Sequence, residues 1–216
     1  MAAVKLHYIY DPLCGWCYGA TPLTQVAQQI SGLTLVLHGG GMMTGSNSRK
    51  ITPEWHDYVE PHDRRIAEIT GQPFGVAYYE GLLRDTDILL DSAPPIAAIL
   101  AAEKMDGKGL TMLHQLQRAH YVEGLAISNN EVLRHCAQTL GLDSDDFNCE
   151  FLFICAESLS QHIQASRELL QQIGGSGFPT FAIEDTQGNL RQLPVEQYSG
   201  HSEQWRKRLT QLVSEH

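Results

Sequence analysis

Two cysteines three positions apart are the residues of this sequence whose chemistry is easiest to name. Cys14 and Cys17 enclose Gly15 and Trp16 and follow an apolar, aromatic run that ends at Tyr10. At a strand-to-helix junction the first sulfur of such a pair lies at a helix N-terminus, where free backbone N–H groups and the helix dipole favour the thiolate. Because the thiolate is the nucleophilic form of cysteine, we predict that Cys14 attacks and that Cys17, one turn further along, is the resolving thiol.

The alternative chemistry for such a pair is structural metal binding. A zinc site needs about four ligands, usually from a second pair at short spacing, and the sequence has no second Cys-x-x-Cys and no Cys-x-x-His. The context therefore favours redox exchange. Trp16 either covers the core around the first helix or forms part of an apolar platform for extended substrates, and the sequence leaves both interpretations open.

Three further cysteines, Cys136, Cys149 and Cys155, invite the interpretation of a second redox or metal site. On one helix a separation of six residues turns Cys149 and Cys155 about 240° apart, so we expect that they do not face each other. Isolated cysteines are often small core residues that stay reduced in the cytosol, and we predict that these three are inert thiols. The ten histidines are predicted to be surface or core residues, including His38, which follows the second strand.

Strand and helix patterns divide the chain into a βαβ half, a long helical middle and a ββα half. The first half comprises a strand over Val4 to Tyr10, a helix over Thr21 to Ile30 and a strand over Leu33 to Leu37. Such a unit joins parallel strands through a right-handed crossover. The last half comprises strands over Thr180 to Glu184 and Leu190 to Leu193 and a helix from Ser202 to Val213.

Helical periodicity dominates the middle, from Pro53 to about Gln172. The first helix is predicted to begin after the cap Thr52, with Pro53 in its first turn, and to end near Gly71. Tyr78 to Leu90 is ambiguous between a short helix and an irregular segment, and Ser92 is predicted to cap the next helix. The remaining helices are predicted over Pro94–Met105, Leu110–Val122, Asn130–Leu140, Ser144–Phe151 and Ala156–Ile173.

A βαβ half and a ββα half, with Cys-x-x-Cys opening the first helix, is the thioredoxin arrangement. The chain resembles the DsbA family, and within it the cytoplasmic FrnE-type group of protein disulfide isomerase-like proteins. The resemblance spans nearly the whole chain and implies an α/β thioredoxin-like domain formed by residues 1–51 and 174–216, with residues 52–173 as an inserted helical subdomain. Its motifs are Tyr10-Asp11-Pro12-Leu13-Cys14-Gly15-Trp16-Cys17, Gly40-Gly41-Met42-Met43 and Gly177-Phe178-Pro179-Thr180.

This resemblance implies a thiol-disulfide oxidoreductase that acts on protein or small-molecule disulfides without a metal or an organic cofactor, and it makes glutathione a candidate reductant. Pro179 matches the position of a cis-proline that faces the cysteine pair. A cis bond there turns the backbone so that Phe178 offers its polar groups to an extended substrate, and Gly177 keeps that approach unhindered. Since Gly15 and Trp16 bring no cation, we expect weaker stabilisation of the thiolate than in strongly oxidising relatives.

The charge and composition of the chain argue against nucleic-acid and membrane partners. Fifteen lysines and arginines against 25 aspartates and glutamates give a net charge of -10, which repels phosphate backbones and anionic lipids. No apolar run approaches the roughly 20 residues of a membrane helix. The N-terminal residues lead directly into the first strand without room for a signal peptide, so we expect a cytoplasmic protein without nucleic-acid or membrane partners.

Two other functions stay open at this stage. Kappa-class glutathione transferases and 2-hydroxychromene-2-carboxylate isomerases share the plan of a thioredoxin fold with a helical insertion, but they typically carry a serine where Cys14 stands. A non-catalytic binding module, in which the insertion and the apolar rim grip a partner while the thiols are incidental, is the second alternative. The cysteine pair favours redox exchange over both.

Overall fold

The computed structural model describes residues 4–215 and has a four-stranded mixed sheet at its centre. Residues 1–3 and 216, at the two ends of the predicted thioredoxin-like domain, lie outside the described part. The strands of this sheet are β1 (Val4–Tyr10), β2 (Leu33–Gly39), β5 (Thr180–Glu184) and β6 (Leu190–Leu193), in the order β2-β1-β5-β6. A separate pair of short strands is formed by β3 (Arg49–Lys50) and β4 (Leu89–Leu90).

β1 is the central strand and carries the apolar middle of the sheet. It runs parallel to β2, with Val4 opposite Leu33, and antiparallel to β5, with Ile9 opposite Thr180. All its residues except Lys5 are buried because helices cover both sides of the sheet, and apart from Lys5 and His7 its sequence is apolar or aromatic. The predicted βαβ and ββα halves are therefore both present in the structure.

Helices α1 (Gly15–Gly19), α2 (Thr21–Gln28) and α9 (Ser202–Ser214) belong to these halves. Only Ala20 separates α1 from α2, and Pro22 lies in the first turn of α2, where its missing N–H costs no helical hydrogen bond. α2 and α9 pack together on one face of the sheet. Trp205 of α9 is fully buried there, with its ring centroid 5.6 Å from that of Phe181 in an edge-to-face contact.

The remaining helices form the insertion: α3 (Pro53–Thr70), α4 (Ala93–Asp106), α5 (Gly109–Tyr121), α6 (Asn130–Thr139), α7 (Ser144–Glu157) and α8 (Leu159–Gln172). α4 contacts α5, α6, α7 and α8 and is the central helix of the group. Its alanines allow this close approach because they add little bulk. As predicted, the Thr52 hydroxyl caps α3 by accepting the Trp55 N–H at 3.2 Å.

Two predictions about the insertion are corrected by the structure, and one segment left open by the sequence is resolved. α7 continues to Glu157 and α8 begins at Leu159, because the segment predicted as a gap contains no glycine or proline to end a helix. The ambiguous segment contains a π-helical turn (Ala77–Gly81), a 3-10 turn (Leu82–Arg84) and β4. Ser92 precedes α4 but does not cap it through its side chain; its hydroxyl contacts Asp11 and Met43 instead.

No helix among residues 4–215 is both long and apolar enough to cross a lipid bilayer. The division of the chain at residues 51/52 and 173/174 stays a prediction.

Candidate active site

Cys14 occupies the position immediately before α1. Its extended backbone (φ −91°, ψ 115°) turns the chain into the helix, and its carbonyl accepts the N–H groups of Cys17 at 3.0 Å and Tyr18 at 3.1 Å. The Cys14 side chain is only 8% exposed, and its Sγ donates to the Phe178 carbonyl at 3.4 Å. The predicted nucleophile thus lies at the start of a helix, beside the loop that precedes β5.

Cys17 lies deeper than Cys14, on the inner side of the same short helix. Its Sγ accepts the backbone N–H of Asp11 at 3.5 Å, and its carbonyl accepts the Tyr8 hydroxyl at 3.2 Å. Burial raises the pKa of Cys17 well above its usual range, and the hydrogen bond and charge of Cys14 raise it further. Cys17 is therefore held as a thiol whose proton is shared toward Cys14, and both cysteines are free rather than joined.

The loop before β5 approaches the cysteines from the sheet side. The Phe178–Pro179 peptide bond is cis, as the resemblance implies. The Phe178 ring rests on Gly40, where an added Cβ would lie 2.2 Å from ring carbons, so residue 40 must be glycine for the ring to fit. A Cβ on Gly177 would meet no atom within 4 Å, so the backbone at this residue is open to an approaching chain.

Trp16 lies at the rim between two clefts and is 37% exposed, so its indole is neither a core residue nor fully free. The smaller cleft, of about 320 Å³, has a mainly apolar wall that includes Trp16, Leu23, Phe178, Pro179 and Val195. Both the covering role and the platform role considered for Trp16 are compatible with this position.

The larger cleft, of about 1000 Å³, lies beside the cysteine pair. Its lining includes Cys14, Trp16, Arg49, Lys50 and Trp55. The Arg49 guanidinium lies over the Trp55 ring, 4.8 Å from its centroid. The lining of this cleft combines these two cations and an aromatic ring with the acidic residues Glu54 and Asp63.

Asp11, part of the motif before the cysteines, is a functional residue that sequence reasoning did not single out. It is fully buried, and its Oδ1 accepts the Leu13 N–H and the Ser92 hydroxyl, each at 2.9 Å, while Oδ2 accepts the Met42 N–H at 2.5 Å. Burial raises the pKa of Asp11, and these hydrogen bonds oppose that rise. Asp11 therefore joins the ends of three segments directly beneath Cys17.

Arg167 of α8 supports the same region from the insertion. Its Nε donates to the Gly40 carbonyl at 2.8 Å and its Nη2 to the Gly41 carbonyl at 2.5 Å. The glycine loop is thereby held where the next residue, Met42, can donate to Asp11.

Asp63 of α3 is a second residue that the sequence analysis missed. It is 6% exposed, and its Oδ2 accepts the Tyr78 hydroxyl at 2.7 Å. Burial raises the pKa of Asp63 to about 6, although the Tyr78 hydrogen bond and the nearby His62 lower it. Its Oδ1 lies 2.6 Å from the position that a Cβ on Gly15 would occupy, so this carboxylate fills the space of a side chain between the two cysteines.

Cys136, Cys149 and Cys155 line neither cleft beside Cys14, whereas His62 and His120 line the larger one. Cys136 is buried, which raises its pKa to about 11, whereas Cys149 and Cys155 are both exposed on α7 and are not the core residues that free cysteines often are. His38 forms a 2.9 Å hydrogen bond with His7, and burial lowers the pKa of His38 to about 4. Within residues 4–215, no cluster of His, Cys, Asp and Glu side chains is arranged to hold a metal ion.

Comparisons with known proteins agree with this architecture. The family model for DSBA-like thioredoxin domains matches residues 5–201. The cytosolic disulfide reductase DsbM from Pseudomonas aeruginosa is 48% identical, with 98% of this chain and 100% of that chain covered and a TM-score of 0.92. The same protein with GSH is 49% identical over 96% of this chain and 98% of that chain, with a TM-score of 0.89.

A provisionally named protein disulfide isomerase from Nitrosomonas europaea is 25% identical over 99% of both chains, with a TM-score of 0.81. A search of curated protein sequences finds no match.

Proposed function

This chain belongs to the family of DSBA-like thioredoxin domains and is a thiol-disulfide oxidoreductase, and we propose that it works in the reducing direction with glutathione as its electron donor. The observation that carries the proposal is the asymmetry of the cysteine pair. The Cys14 sulfur lies at a helix start, 3.4 Å from the Phe178 carbonyl oxygen in the loop before β5, while Cys17 is buried behind it as a thiol. This asymmetry supports Cys14 as the attacking sulfur and Cys17 as the resolving sulfur.

In the proposed cycle the Cys14 thiolate attacks one sulfur of a substrate disulfide. The S–S bond of the substrate breaks, a mixed disulfide forms, and the first substrate sulfur leaves as a thiolate that takes up a proton. Cys17 then loses its proton and attacks the Cys14 sulfur, which releases the second substrate thiol and forms the Cys14–Cys17 disulfide. Two glutathione molecules reduce this bond in two exchange steps and leave as glutathione disulfide, so electrons and atoms balance.

The raised pKa of Cys17 accounts for the order of these events. At neutral pH a buried thiol of high pKa does not compete with Cys14 for the substrate, because only the thiolate attacks. When Cys14 is consumed in the mixed disulfide, its negative charge disappears. Cys14 then no longer raises the pKa of Cys17, and Cys17 becomes easier to deprotonate at the step where it must react.

We propose that the two clefts beside Cys14 take different partners. An extended segment of a protein disulfide runs along Trp16, Gly177, Phe178 and Pro179, where apolar surface adjoins sterically open backbone at Gly177. Glutathione enters the larger cleft, where Arg49 and Lys50 complement the two carboxylates of the tripeptide. The similar P. aeruginosa reductase with GSH supports glutathione as a partner.

We also propose a cytoplasmic location. The similar P. aeruginosa reductase is described as cytosolic, and reduction by glutathione is favoured where the pool is kept reduced.

The proposal is tested by reduction of insulin disulfides with glutathione as the electron source. Cys14→Ser is expected to lose turnover at least about 100-fold, since a hydroxyl does not replace the thiolate in exchange. Cys149→Ser removes an exposed thiol outside the site and is the matched control, expected to keep the wild-type rate. Cys17→Ala is expected to accumulate mixed disulfides with its substrates.

The same assay separates the two alternatives. Full turnover of Cys14→Ser would contradict redox exchange and favour a glutathione-dependent transferase or isomerase, in which a serine serves at this position. If the wild-type protein shows no turnover and Cys14 reacts with iodoacetamide no faster than a model thiol, the chain is a binding module. Insulin reduction with dithiothreitol but not with glutathione would refute the proposed donor.

A further inference from the structure

Asp63 lies next to Gly15 of the active-site dipeptide, although the exchange mechanism proposed above gives it no role. Its Oδ1 lies 2.6 Å from the point where a Cβ on Gly15 would be, and both Asp63 and Cys14 line the larger cleft. Gly15, the first residue between the two cysteines, has no side chain, and the Asp63 carboxylate of helix α3 lies where one would begin.

We propose that Asp63 is a positioning residue that sets the direction of exchange, because its carboxylate destabilises the neighbouring Cys14 thiolate and so favours the disulfide form of the pair. The charge acts on one redox state only: the reduced pair carries a thiolate, whereas the disulfide is neutral. A repelled thiolate raises the free energy of the reduced protein, so the dithiol gives up its electrons more readily. The inference rests on the proposed reducing function and gives it a cause in the structure.

The phenols and the His120 imidazole that face Asp63 are neutral near pH 6. Asp63 is therefore an acidic group beside the cysteine pair whose charge changes in this pH range. Burial raises the pKa of Tyr78 and Tyr121 well above 10 and that of Tyr79 to about 12, so these phenols stay neutral. Burial lowers the pKa of His120 to about 4, so this imidazole is also neutral above that value. Several titratable groups face Asp63 from its surroundings. They are Cys14 just before α1, Tyr78 and Tyr79 from the π-helical turn, His120 and Tyr121 from α5, and His62 beside it on α3.

The direction of the pH dependence follows from the Asp63 pKa of about 6. Above this value the carboxylate is charged and repels the Cys14 thiolate. Below it the protonated carboxyl is neutral and the repulsion is absent. A residue with a merely structural role would not produce a redox effect that follows this titration.

The experiment measures the equilibrium of the wild-type protein and Asp63→Asn with mixtures of reduced and oxidised glutathione, approached from both directions. Asparagine keeps the shape and the acceptor for Tyr78 but has no charge. Near pH 8 we expect Asp63→Asn to shift the equilibrium about tenfold toward the dithiol, which corresponds to about 30 mV. Near pH 5 the difference is expected to fall to about twofold or less, since Asp63 is then protonated. Glu68→Gln, which removes an exposed charge from the same helix, is expected to shift neither value.

Tyr78→Phe is the second variant, because it keeps the Asp63 charge and removes the hydroxyl that lowers the pKa of Asp63. Near pH 8 it is expected to match the wild-type equilibrium, because Asp63 is charged in both proteins. As the pH is lowered, Asp63 of the variant is expected to become protonated first, so its equilibrium moves toward the dithiol at a higher pH than that of the wild-type protein. Equal equilibria for Asp63→Asn and the wild-type protein near pH 8, or an equal shift at both pH values, would overturn the inference. The proposed reducing function is tested separately. If the wild-type protein does not turn over with glutathione while the wild-type and Asp63→Asn equilibria still differ, the reducing function fails and the role of Asp63 stands.

Discussion

Replacing Asp63 with asparagine is expected to stabilise the protein at neutral pH while it changes the redox equilibrium. In the folded protein the pKa of Asp63 is about 6, against an ordinary value of 3.8. The folded state therefore binds a proton more tightly than the unfolded chain does. Its contribution to stability is complete below about pH 4 and is lost as the pH rises to the folded-state value of about 6.

The size of the effect follows from these two pKa values. At about 1.36 kcal/mol for each pH unit between them, the difference corresponds to about 3 kcal/mol of unfolding free energy. Asp63 is 6% exposed, so solvent screens this cost little. The asparagine side chain of the variant carries no charge to desolvate and can still accept the Tyr78 hydroxyl. We expect Asp63→Asn to exceed the wild-type protein by about 2–3 kcal/mol near pH 7 and to approach it near pH 4.

The assay is urea unfolding at a series of pH values, followed by tryptophan fluorescence, with the free energies of the variant and the wild-type protein subtracted at each pH. The subtraction removes the other titrating groups, which the two proteins share. Glu68→Gln provides the control for a charge removed from an exposed position on the same helix. A difference of the same size at every pH, or an asparagine variant that is less stable near pH 7, would refute the account of Asp63 as a carboxylate that is costly to ionise.

Two further substitutions test the packing around the pair. Asp11→Asn keeps one acceptor but points an NH₂ group at a donor such as the Met42 N–H, so urea unfolding is expected to show a loss of about 2–4 kcal/mol; a loss below about 0.5 kcal/mol would mean that the buried carboxylate does not organise this loop. Gly75→Ala places a Cβ 1.9 Å from the Val122 carbonyl oxygen and is expected to cost about 3 kcal/mol or more. Gly81→Ala meets no atom within 4 Å and is its control, so equal losses for the two alanines would exclude the contact as the cause.

Most of the sheet and its flanking helices could be predicted because their signals are local. β1 and the strands of the last half have the predicted bounds, since Asp11-Pro12 follows β1 and the turn residues Asp185 to Asn189 separate β5 from β6. β3 and β4 were not predictable because two residues cannot show an alternating pattern, and their pairing depends on the distant fold. The boundary between α7 and α8 was misplaced because no strong helix breaker marks it; only the backbone at Ser158 changes direction.

The cysteine pair could be identified from its own spacing, but the acids around it could not. Asp11 had a visible signal, a carboxylate at the end of a buried strand, where an ionisable residue needs hydrogen-bond partners. Its partners come from loops that only the fold brings together. Asp63 lies on a helix with many charged residues, where an acid ordinarily faces solvent, and no pattern along α3 distinguishes it. Only the missing side chain at Gly15 hints that another group fills that space.

The insertion therefore belongs to the redox centre and does not merely cover it. From α3 it places Asp63 against the dipeptide, and from α8 it places Arg167 on the glycine loop that positions Asp11 beneath Cys17. One contact lies next to Cys14 and the other acts through Asp11, whose backbone N–H donates to the Cys17 sulfur. If Asp63 acts on the reduced state as proposed, and the hydrogen bonds of Asp11 hold the loop beside Cys17, the insertion is expected to influence both the redox equilibrium and the order of attack. A change in the packing of these helices against the sheet should therefore alter redox properties even where the cysteines and their loop stay intact.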